Sequence, residues 1–451
     1  MLTTNIPRGL SLGRYVAEAG SRQYAADVIH EARRSLVDYL GVTIVAAFDE
    51  TVEPVRRAAA RWNASGKSRI VLGGTTTPAL AALINATATH AMDYDDVHYL
   101  GAGHPGGPCW STALAVAQHI DAPDQAALGA FITGFEIMAK LGGGGVPGVG
   151  RRLQRKGFHP TSVVGRMGAA AVTAALYGLD ASQSLHALAN TATTAGGLVG
   201  SFGTHGKPFH AGKAAMDGIL AADLASEGHV AAPHLFELEH GWLDAFIQDR
   251  QVEVPPLDFD TGSELLRNGY KLFASCRATH ASSQAAMELA EKISHSSVQS
   301  VHVKVHAGAL VTAGNPDPKT PLEAKFSVAF CVAMALSGYR LAWSDFSESV
   351  FADERVTSLC KKVVVEAVEG QSPASAYVDV ILDTNDVLHA KTAIILGHPD
   401  NPVSDQGLEE KFNSLVRPVL GEAKAKAIIG AAWQFGEPGS LRDISQLLAG
   451  K

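Results

Sequence analysis

Residues 22–48 read RQYAADVIHEARRSLVDYLGVTIVAAF, and their apolar side chains recur at intervals of three and four residues. That spacing puts one apolar stripe on a single face of an α-helix, formed by Ala26, Ile29, Leu36, Tyr39, Leu40 and Ile44. Residues 165–180 (GRMGAAAVTAALYGLD) and 210–228 (HAGKAAMDGILAADLASEG) are rich in Ala and Gly, which lets helices approach closely. The first 250 residues therefore predict buried helices of a tightly packed bundle.

The pattern changes near residue 290. Residues 297–310 (SVQSVHVKVHAGAL) alternate with period two, and residues 375–397 (SAYVDVILDTNDVLHAKTAIILG) hold two β-rich runs around the turn signal Thr384-Asn385-Asp386. Between these runs, residues 323–339 (EAKFSVAFCVAMALSGY) and 355–368 (RVTSLCKKVVVEAV) predict helices. We therefore expect a small α/β domain in this part of the chain.

The end of the chain returns to a helical pattern. After Pro402, residues 404–420 (SDQGLEEKFNSLVRPVL) open with a serine cap, and we expect this tail to rejoin the first domain. The predicted fold is mainly α, with a large all-helical domain built from both chain ends (1–267 and 403–451). A smaller α/β lid domain (268–402) is predicted as an insertion.

Composition limits the function. Of the 451 residues, 46% are hydrophobic and 18% charged, which predicts a large core and two domains. The net charge is −8 and no block of Lys or Arg is present, which argues against nucleic acid or an anionic membrane as partner. We see no signal peptide and no apolar run of membrane-spanning length. The four cysteines form no CxxC motif, so we expect no zinc or disulfide framework, and a cytoplasmic location.

Residues 90–105 (HAMDYDDVHYLGAGHP) contain three aspartates and three histidines. On a helix, His90, Asp93 and Val97 would share a face. A metal site, a proton-transfer site and a solvated helix end all remain open from the residue types. The chain lacks the phosphate loop that usually accompanies magnesium-binding aspartates. His104 follows glycines 101 and 103, and we expect it on a loop where it can meet a ligand.

Further candidates lie in three segments. His159 precedes a proline in RKGFHPTS, which favours an extended or turn conformation. Lys207 lies in GSFGTHGKPFHAGKAA, and this glycine-rich segment predicts an anion site at a helix N-terminus. At the predicted domain junction, GYKLFASCRATHASSQAAMELA holds three potential cations and a thiol that suit a carboxylate-bearing substrate: Lys271, Arg277, His280 and Cys276. The glycine run at 140–150 is not a nucleotide loop, since no predicted strand precedes it and no GK[ST] ends it.

Taken in order, these segments resemble the MmgE/PrpD family, which includes 2-methylcitrate dehydratase, cis-aconitate decarboxylase and iminodisuccinate epimerase. The matching segments run from residue 90 to 412 and are HAMDYDDVHYLGAGHPG, GFHPTS followed by GRMGAAA, GKPFHAGKAA, YKLFASCRATH, EAKFS and PVSDQGLEEKF. The resemblance implies a helical domain formed by both chain ends, a lid domain, a homodimer, and an active site between the domains. It also implies no metal and no organic cofactor, and so favours proton chemistry at residues 90–105.

By motif position, the resemblance implies that the active-site residues are Asp93, His104, His159, Lys207 and Lys271. Two positions depart from the decarboxylase branch of the family. Cys276 stands where that branch has a histidine, and Val97 stands where it has a threonine. These departures put an assignment as a decarboxylase in doubt.

We expect a proton to leave or reach a carbon next to a carboxylate of a small di- or tricarboxylate. Carboxylate binding is assigned to Lys207, Lys271, Arg277 and His280. With ordinary pKa values near 6.5, His104 and His159 can act as base or acid. Asp93 could fix a histidine tautomer, or serve as a base itself if desolvated.

The type of reaction stays open. Nearby cations would lower the pKa of the Cys276 thiol and make it a second proton-transfer group, which favours epimerisation of an iminodisuccinate-like dicarboxylate. The alternative is a lyase, either a 2-methylcitrate-type dehydratase or a cis-aconitate-type decarboxylase. Two other hypotheses remain: a non-catalytic carboxylate-binding protein and a metal-dependent hydrolase.

Overall fold

The computed structural model describes residues 7–101, 103–143, 149–248, 256–293 and 298–450, and helices dominate it. The helices before residue 250 are α1 (Arg8–Ala17), α2 (Ala26–Val45), α3 (Glu53–Ala60), α4 (Pro78–Ala91), α5 (Gly106–His119), α6 (Asp124–Gly142), α7 (Val149–Arg155), α8 (Pro160–Tyr177), α9 (Ala181–Thr193), α10 (Gly206–Ser226) and α11 (Trp242–Ile247). Those after it are α12 (Arg277–Ala290), α13 (Ala307–Ala313), α14 (Pro321–Ala324), α15 (Val328–Leu336), α16 (Glu348–Phe351), α17 (Glu354–Cys360), α18 (Asp405–Leu420), α19 (Glu422–Trp433) and α20 (Ser440–Leu447). The prediction of a mainly α fold is confirmed.

Close packing of α10 against α4 and α8 depends on glycine. A Cβ atom at Gly212 would lie 2.1 Å from Thr87 Oγ1, and one at Gly218 would lie 2.4 Å from the Cβ of Ala169. Side chains of any size would therefore push α10 away from its neighbours. The Ala- and Gly-rich segments are buried helices, as their composition predicted.

The strands are short or confined to one sheet. Two-stranded antiparallel pairs join β1 (Ser68–Arg69) to β2 (Thr75–Thr76) and β3 (Val97–His98) to β4 (Asn268–Gly269). A four-stranded sheet has the order β6-β5-β7-β8 and consists of β5 (Val298–His306), β6 (Val363–Val368), β7 (Ala376–Leu382) and β8 (Val387–Thr392). β5 runs parallel to β6 and antiparallel to β7, and β7 and β8 form the predicted hairpin.

One element was predicted wrongly. Residues 355–368 were expected to be a single helix, but the helix α17 ends at Cys360 and the strand β6 begins at Val363. The run of β-branched residues from Val363 to Val365 favours a strand, and the edge of β5 offers it backbone partners.

Buried apolar side chains form two large clusters on either side of Ser275. The first cluster takes its residues from 12–274 and 403–448, and the second takes them from 276–395. Helix α18 packs on α2, and its Ser404 cap accepts a hydrogen bond from the Gly407 amide at 3.1 Å, as predicted. The chain passes between the clusters beside Lys271 and Cys276.

Two further expectations bear on the sequence as a whole. None of the helices in the described part of the chain combines the length and the hydropathy that crossing a bilayer requires. In the glycine-rich stretch at 140–150, residues 144–148 lie outside the described residues. The helix α6, rather than a strand, precedes that stretch.

Candidate active site

A cavity of about 110 Å³ is lined by residues from two parts of the chain, 93–207 and 276–375. One ordered water needs roughly 10–15 Å³ of such space, so the cavity has room for a small organic acid or several waters. Six of the eight predicted site residues line it: Asp93, His104, His159, Lys207, Cys276 and Arg277. Lys271 and His280 lie behind them, in hydrogen-bond contact with Asp93 and Arg277.

The segment that bears Asp93 is a turn and not a helix. Helix α4 ends at Ala91, Asp93 has a left-handed φ of 50°, and Val97 begins a strand that pairs with Gly269. The expectation that His90, Asp93 and Val97 share one helix face is therefore wrong. The backbone carbonyls of this turn accept hydrogen bonds from side chains instead of from helical amides. The Asp93 carbonyl oxygen, for example, lies 2.9 Å from Lys271 Nζ.

Asp93 forms ion pairs with two buried lysines. Its Oδ1 lies 2.7 Å from Lys207 Nζ and also accepts a hydrogen bond from Lys271 Nζ. Burial raises the pKa of Asp93, but the two ammonium groups more than offset this effect and hold that pKa well below its usual value. Asp93 is thus ionised, and its low pKa makes it a poor proton acceptor. Its Oδ2 is buried and has no hydrogen-bond partner among the described residues.

Lys207 is positioned by the N-terminus of α10. Gly206 begins this helix, and Lys207 follows with only 3% of its surface exposed. Its ammonium group also lies 5.0 Å from the ring centre of Phe202. The predicted anion site at this helix end therefore contains an internal anion, the Asp93 carboxylate, beside the cavity.

Three buried imidazoles form a cluster beside these ion pairs. The ring centre of His90 lies 4.7 Å from that of His104 and 5.5 Å from that of His159. Burial lowers the pKa of all three, to well below 6.5 for His104 and His159. Our expectation of ordinary pKa values is therefore wrong, because these rings are desolvated and lie near lysines. Both cavity histidines are neutral near pH 7 and suited to accept a proton.

Hydrogen bonds fix the tautomer of His104. Its Nδ1 lies 2.6 Å from the carbonyl oxygen of Asp96, and a carbonyl can only accept, so Nδ1 carries the proton. The lone pair of the neutral ring is then on Nε2. In His159, Nδ1 lies 3.1 Å from Nδ1 of His210, so one of these two atoms donates to the other.

Asp95, and not Asp93, makes the contacts to histidine rings that we expected of Asp93. Its Oδ2 lies 2.8 Å from His90 Nδ1, and its Oδ1 lies 3.6 Å from His104 Nδ1. Burial raises the pKa of Asp95, but His90 and His104 lower it by more, so the group is a carboxylate. Asp95 was overlooked as a site residue, although it lies within the quoted stretch.

Arg277 has donors that no described residue uses. Its Nη1 lies 3.1 Å from His280 Nδ1, and the guanidinium lies 4.8 Å from the ring centre of Tyr99. Its Nε and Nη2 are buried and lack a hydrogen-bond partner among the described residues. These two atoms form the edge with which arginine binds a carboxylate bidentately.

His280 supports Arg277 rather than lining the cavity. Its Nε2 donates to the carbonyl oxygen of Ser275 at 3.2 Å, which leaves Nδ1 as the acceptor for Arg277. Burial holds the pKa of His280 well below its usual value. The expectation that His280 is a cation is therefore wrong, since the ring is neutral and buried, and its contact with substrate stays a prediction.

Cys276 lines the cavity at the N-terminus of α12, but its thiol is not activated. Burial raises its pKa, and the Asp93 carboxylate raises it further against the opposing effect of Lys207 and Lys271. The expected lowering of this pKa is wrong because desolvation outweighs the nearby cations. The thiol stays protonated near pH 7.

His90, Asp95 and His104 each offer one possible metal ligand atom, and these atoms lie within 4.8 Å of one another. Hydrogen bonds already engage Nδ1 of both histidines. The ammonium groups of Lys207 and Lys271 also oppose a further cation here. The arrangement suits a proton-transfer network better than a metal, and the absence of a metal remains a prediction.

Comparison with known proteins supports the same family. Residues 10–255 match the MmgE/PrpD N-terminal domain, and residues 273–435 match the MmgE/PrpD C-terminal domain. The chain is 27% identical to cis-aconitate decarboxylase of Homo sapiens over 429 residues, which cover 89% of this chain and 86% of the relative. It is 24% identical to cis-aconitate decarboxylase of Mus musculus over 446 residues (94% and 89%). It is 23% identical over 482 residues to a cis-aconitate decarboxylase-like protein of Aspergillus oryzae (99% and 98%). These matches confirm the family predicted from the motifs, and the chain belongs to the MmgE/PrpD family of enzymes.

Proposed function

We propose that this chain is a cofactor-independent lyase that acts on a small di- or tricarboxylate by transferring a proton to or from carbon. One observation supports this most strongly. A single cavity is lined by two neutral imidazoles, His104 and His159, and by the cationic side chains of Lys207 and Arg277. Such a site can bind carboxylates and accept a proton from the carbon beside them.

The proposed roles follow from the hydrogen bonds. Arg277 binds a substrate carboxylate with its unused Nε and Nη2 donors. Nε2 of His104 exchanges the proton with carbon, and the Lys207 ammonium stabilises the carbanion or enolate that forms. The free Oδ2 of Asp93 can accept a hydrogen bond from a substrate hydroxyl. The protonated Cys276 thiol can donate a proton to a leaving hydroxyl or to carbon.

The relatives support a lyase over an epimerase. Those named above are cis-aconitate decarboxylases or a protein like them, at 23–27% identity. An epimerase would use Cys276 as a thiolate base, and the raised pKa of the thiol opposes that role. Cis-aconitate itself remains one candidate among several, because Val97 and Cys276, the two departures from the decarboxylase branch, both line the cavity.

We also propose that residues 268–402 form an inserted lid domain and that residues 1–267 and 403–451 form one helical domain. The separate hydrophobic clusters support this division, since the second is built only from residues 276–395. The cavity, which is lined by residues 93–207 and 276–375, would then lie between the domains. A homodimer and a cytoplasmic location remain expectations.

Proton NMR in D₂O tests the proposed reaction. Purified protein is incubated with citrate, 2-methylcitrate, cis-aconitate and each iminodisuccinate stereoisomer, and the His104→Ala variant serves as the control. We expect new vinyl signals, from loss of water or carbon dioxide, with a citrate-type acid or cis-aconitate. Deuterium at the α-carbon with inverted configuration and an unchanged skeleton would contradict the lyase and indicate the epimerase.

A further inference from the structure

Three buried lysines donate to three consecutive backbone carbonyls in the turn that contains Asp93. In residues 92–94, Lys325 Nζ lies 3.1 Å from the first carbonyl oxygen. Lys271 Nζ lies 2.9 Å from the second, and Lys411 Nζ lies 2.7 Å from the third. The three lysines come from distant parts of the chain, so three remote segments meet at this turn.

Lys325 differs from the other two because it has no carboxylate partner among the described residues. Lys271 also binds the Asp93 carboxylate, and Lys411 lies 2.6 Å from Asp38 Oδ1. The other contacts of Lys325 are the Met92 sulfur at 3.9 Å and the Phe346 ring, whose centre lies 5.5 Å away. The Met92 carbonyl is therefore the principal partner of this ammonium group.

The environment of Lys325 makes a role in packing alone a poor explanation. The side chain is 5% exposed, and burial lowers its pKa to about 8. The charged groups that face it are Asp49, Asp93, Lys207 and Lys271. An apolar side chain of similar length, such as methionine, would fill the space without the desolvation of a charge.

Lys325 also connects the two hydrophobic clusters. It lies between Ala324 and Phe326 of the second cluster, whereas Met92 belongs to the first. Its backbone carbonyl accepts the Cys276 amide at 2.9 Å. The residue thus links the Cys276 segment to the turn that contains Asp93.

We propose that Lys325 is a positioning residue, whose ammonium group holds the Met92 carbonyl and thereby sets the position of Asp93 and of the Lys207 ammonium that Asp93 binds. This inference rests on the proposed function, in which Lys207 stabilises the charge that develops on substrate. Lys325 does not line the cavity and is assigned no contact with substrate.

The test compares Lys325→Met with Lys362→Met. Lys362 also donates to a backbone carbonyl, that of Val298 at the start of β5, at 2.6 Å. Displacement of a catalytic group by about 1 Å can cost about a hundredfold in rate, so we expect Lys325→Met to lower kcat by roughly 10–100-fold, with a much smaller change in KM. Its Tm should change little, because removal of a buried charge offsets the hydrogen bond lost at the Met92 carbonyl.

Amide hydrogen exchange provides a readout that needs no substrate. Exchange in a peptide covering residues 90–96 should be faster in Lys325→Met and unchanged in Lys362→Met. Unchanged kcat, or a loss of kcat matched by a lower Tm and faster exchange throughout the protein, would overturn the inference. If the wild type converts no acid in the panel, the proposed function fails. The exchange at 90–96 then still decides whether Lys325 holds the turn.

Discussion

Replacing Arg277 tests how substrate is held. In Arg277→Met both unused donors are lost, whereas in Arg277→Lys the positive charge remains but the planar edge of two donors is absent. The structure leaves Nε and Nη2 without a partner among the described residues and engages Nη1 with His280. Two hydrogen bonds to a substrate carboxylate are therefore at stake.

The expected size of the effect follows from those two bonds. A hydrogen bond to a charged group contributes about 1.5–3 kcal/mol, and each 1.4 kcal/mol is a factor of about ten in affinity. Loss of both bonds in Arg277→Met should raise KM by roughly 10²–10⁴-fold. Loss of one in Arg277→Lys should raise it by roughly 10–100-fold. Because Arg277 is assigned to substrate binding and not to proton transfer, kcat should change far less.

Steady-state kinetics with the acid identified by NMR measures both constants. Arg355→Met is the control, since Arg355 pairs with Asp353 on the surface at 2.6 Å and does not line the cavity. Thermal unfolding should show little change in Arg277→Met, because removal of a buried guanidinium edge without a partner offsets the hydrogen bond lost at His280. Wild-type KM in Arg277→Met would refute carboxylate binding. A fall in kcat alone would mean that Arg277 acts on the transition state instead.

Four further outcomes are expected. His104→Ala should lower kcat by about 10²–10⁴-fold while His389→Ala, on the exposed surface of the sheet, leaves it unchanged; equal kcat in both variants would exclude His104 as the proton-transfer group. Since burial keeps His104 and His159 neutral well below pH 6.5, kcat/KM should stay level from about pH 7.5 to 6 and fall only at more acidic pH; a midpoint at 6.5 or above contradicts this. Above pH about 8, kcat should decline as Lys325 loses its proton, and Lys325→Met should lack this limb. Exhaustive EDTA treatment should leave turnover unchanged; activity lost with EDTA and restored by a divalent ion would show that a metal is required.

Several local features could be predicted from the sequence because they depend on neighbouring residues. The helix within residues 22–48, the Ser404 cap and the hairpin of β7 and β8 formed as expected, although Ala26 of the predicted apolar stripe is exposed. The helix expected over residues 355–368 did not, because β6 gained the edge of a strand that lies more than fifty positions away. Where residues favour helix and strand about equally, a partner strand of this kind determines which of the two forms.

The residue types of the site were also visible in the sequence, and most of them line one cavity. Their roles were not. Asp93 forms ion pairs with lysines 114 and 178 positions away. Asp95, in its place, contacts the histidines. The pKa values of Cys276 and the histidines moved opposite to expectation or far from ordinary values. The order of motifs along the chain was enough to indicate the family. Only the tertiary structure decided which groups are charged, because desolvation and distance to other charges arise when remote segments are packed together.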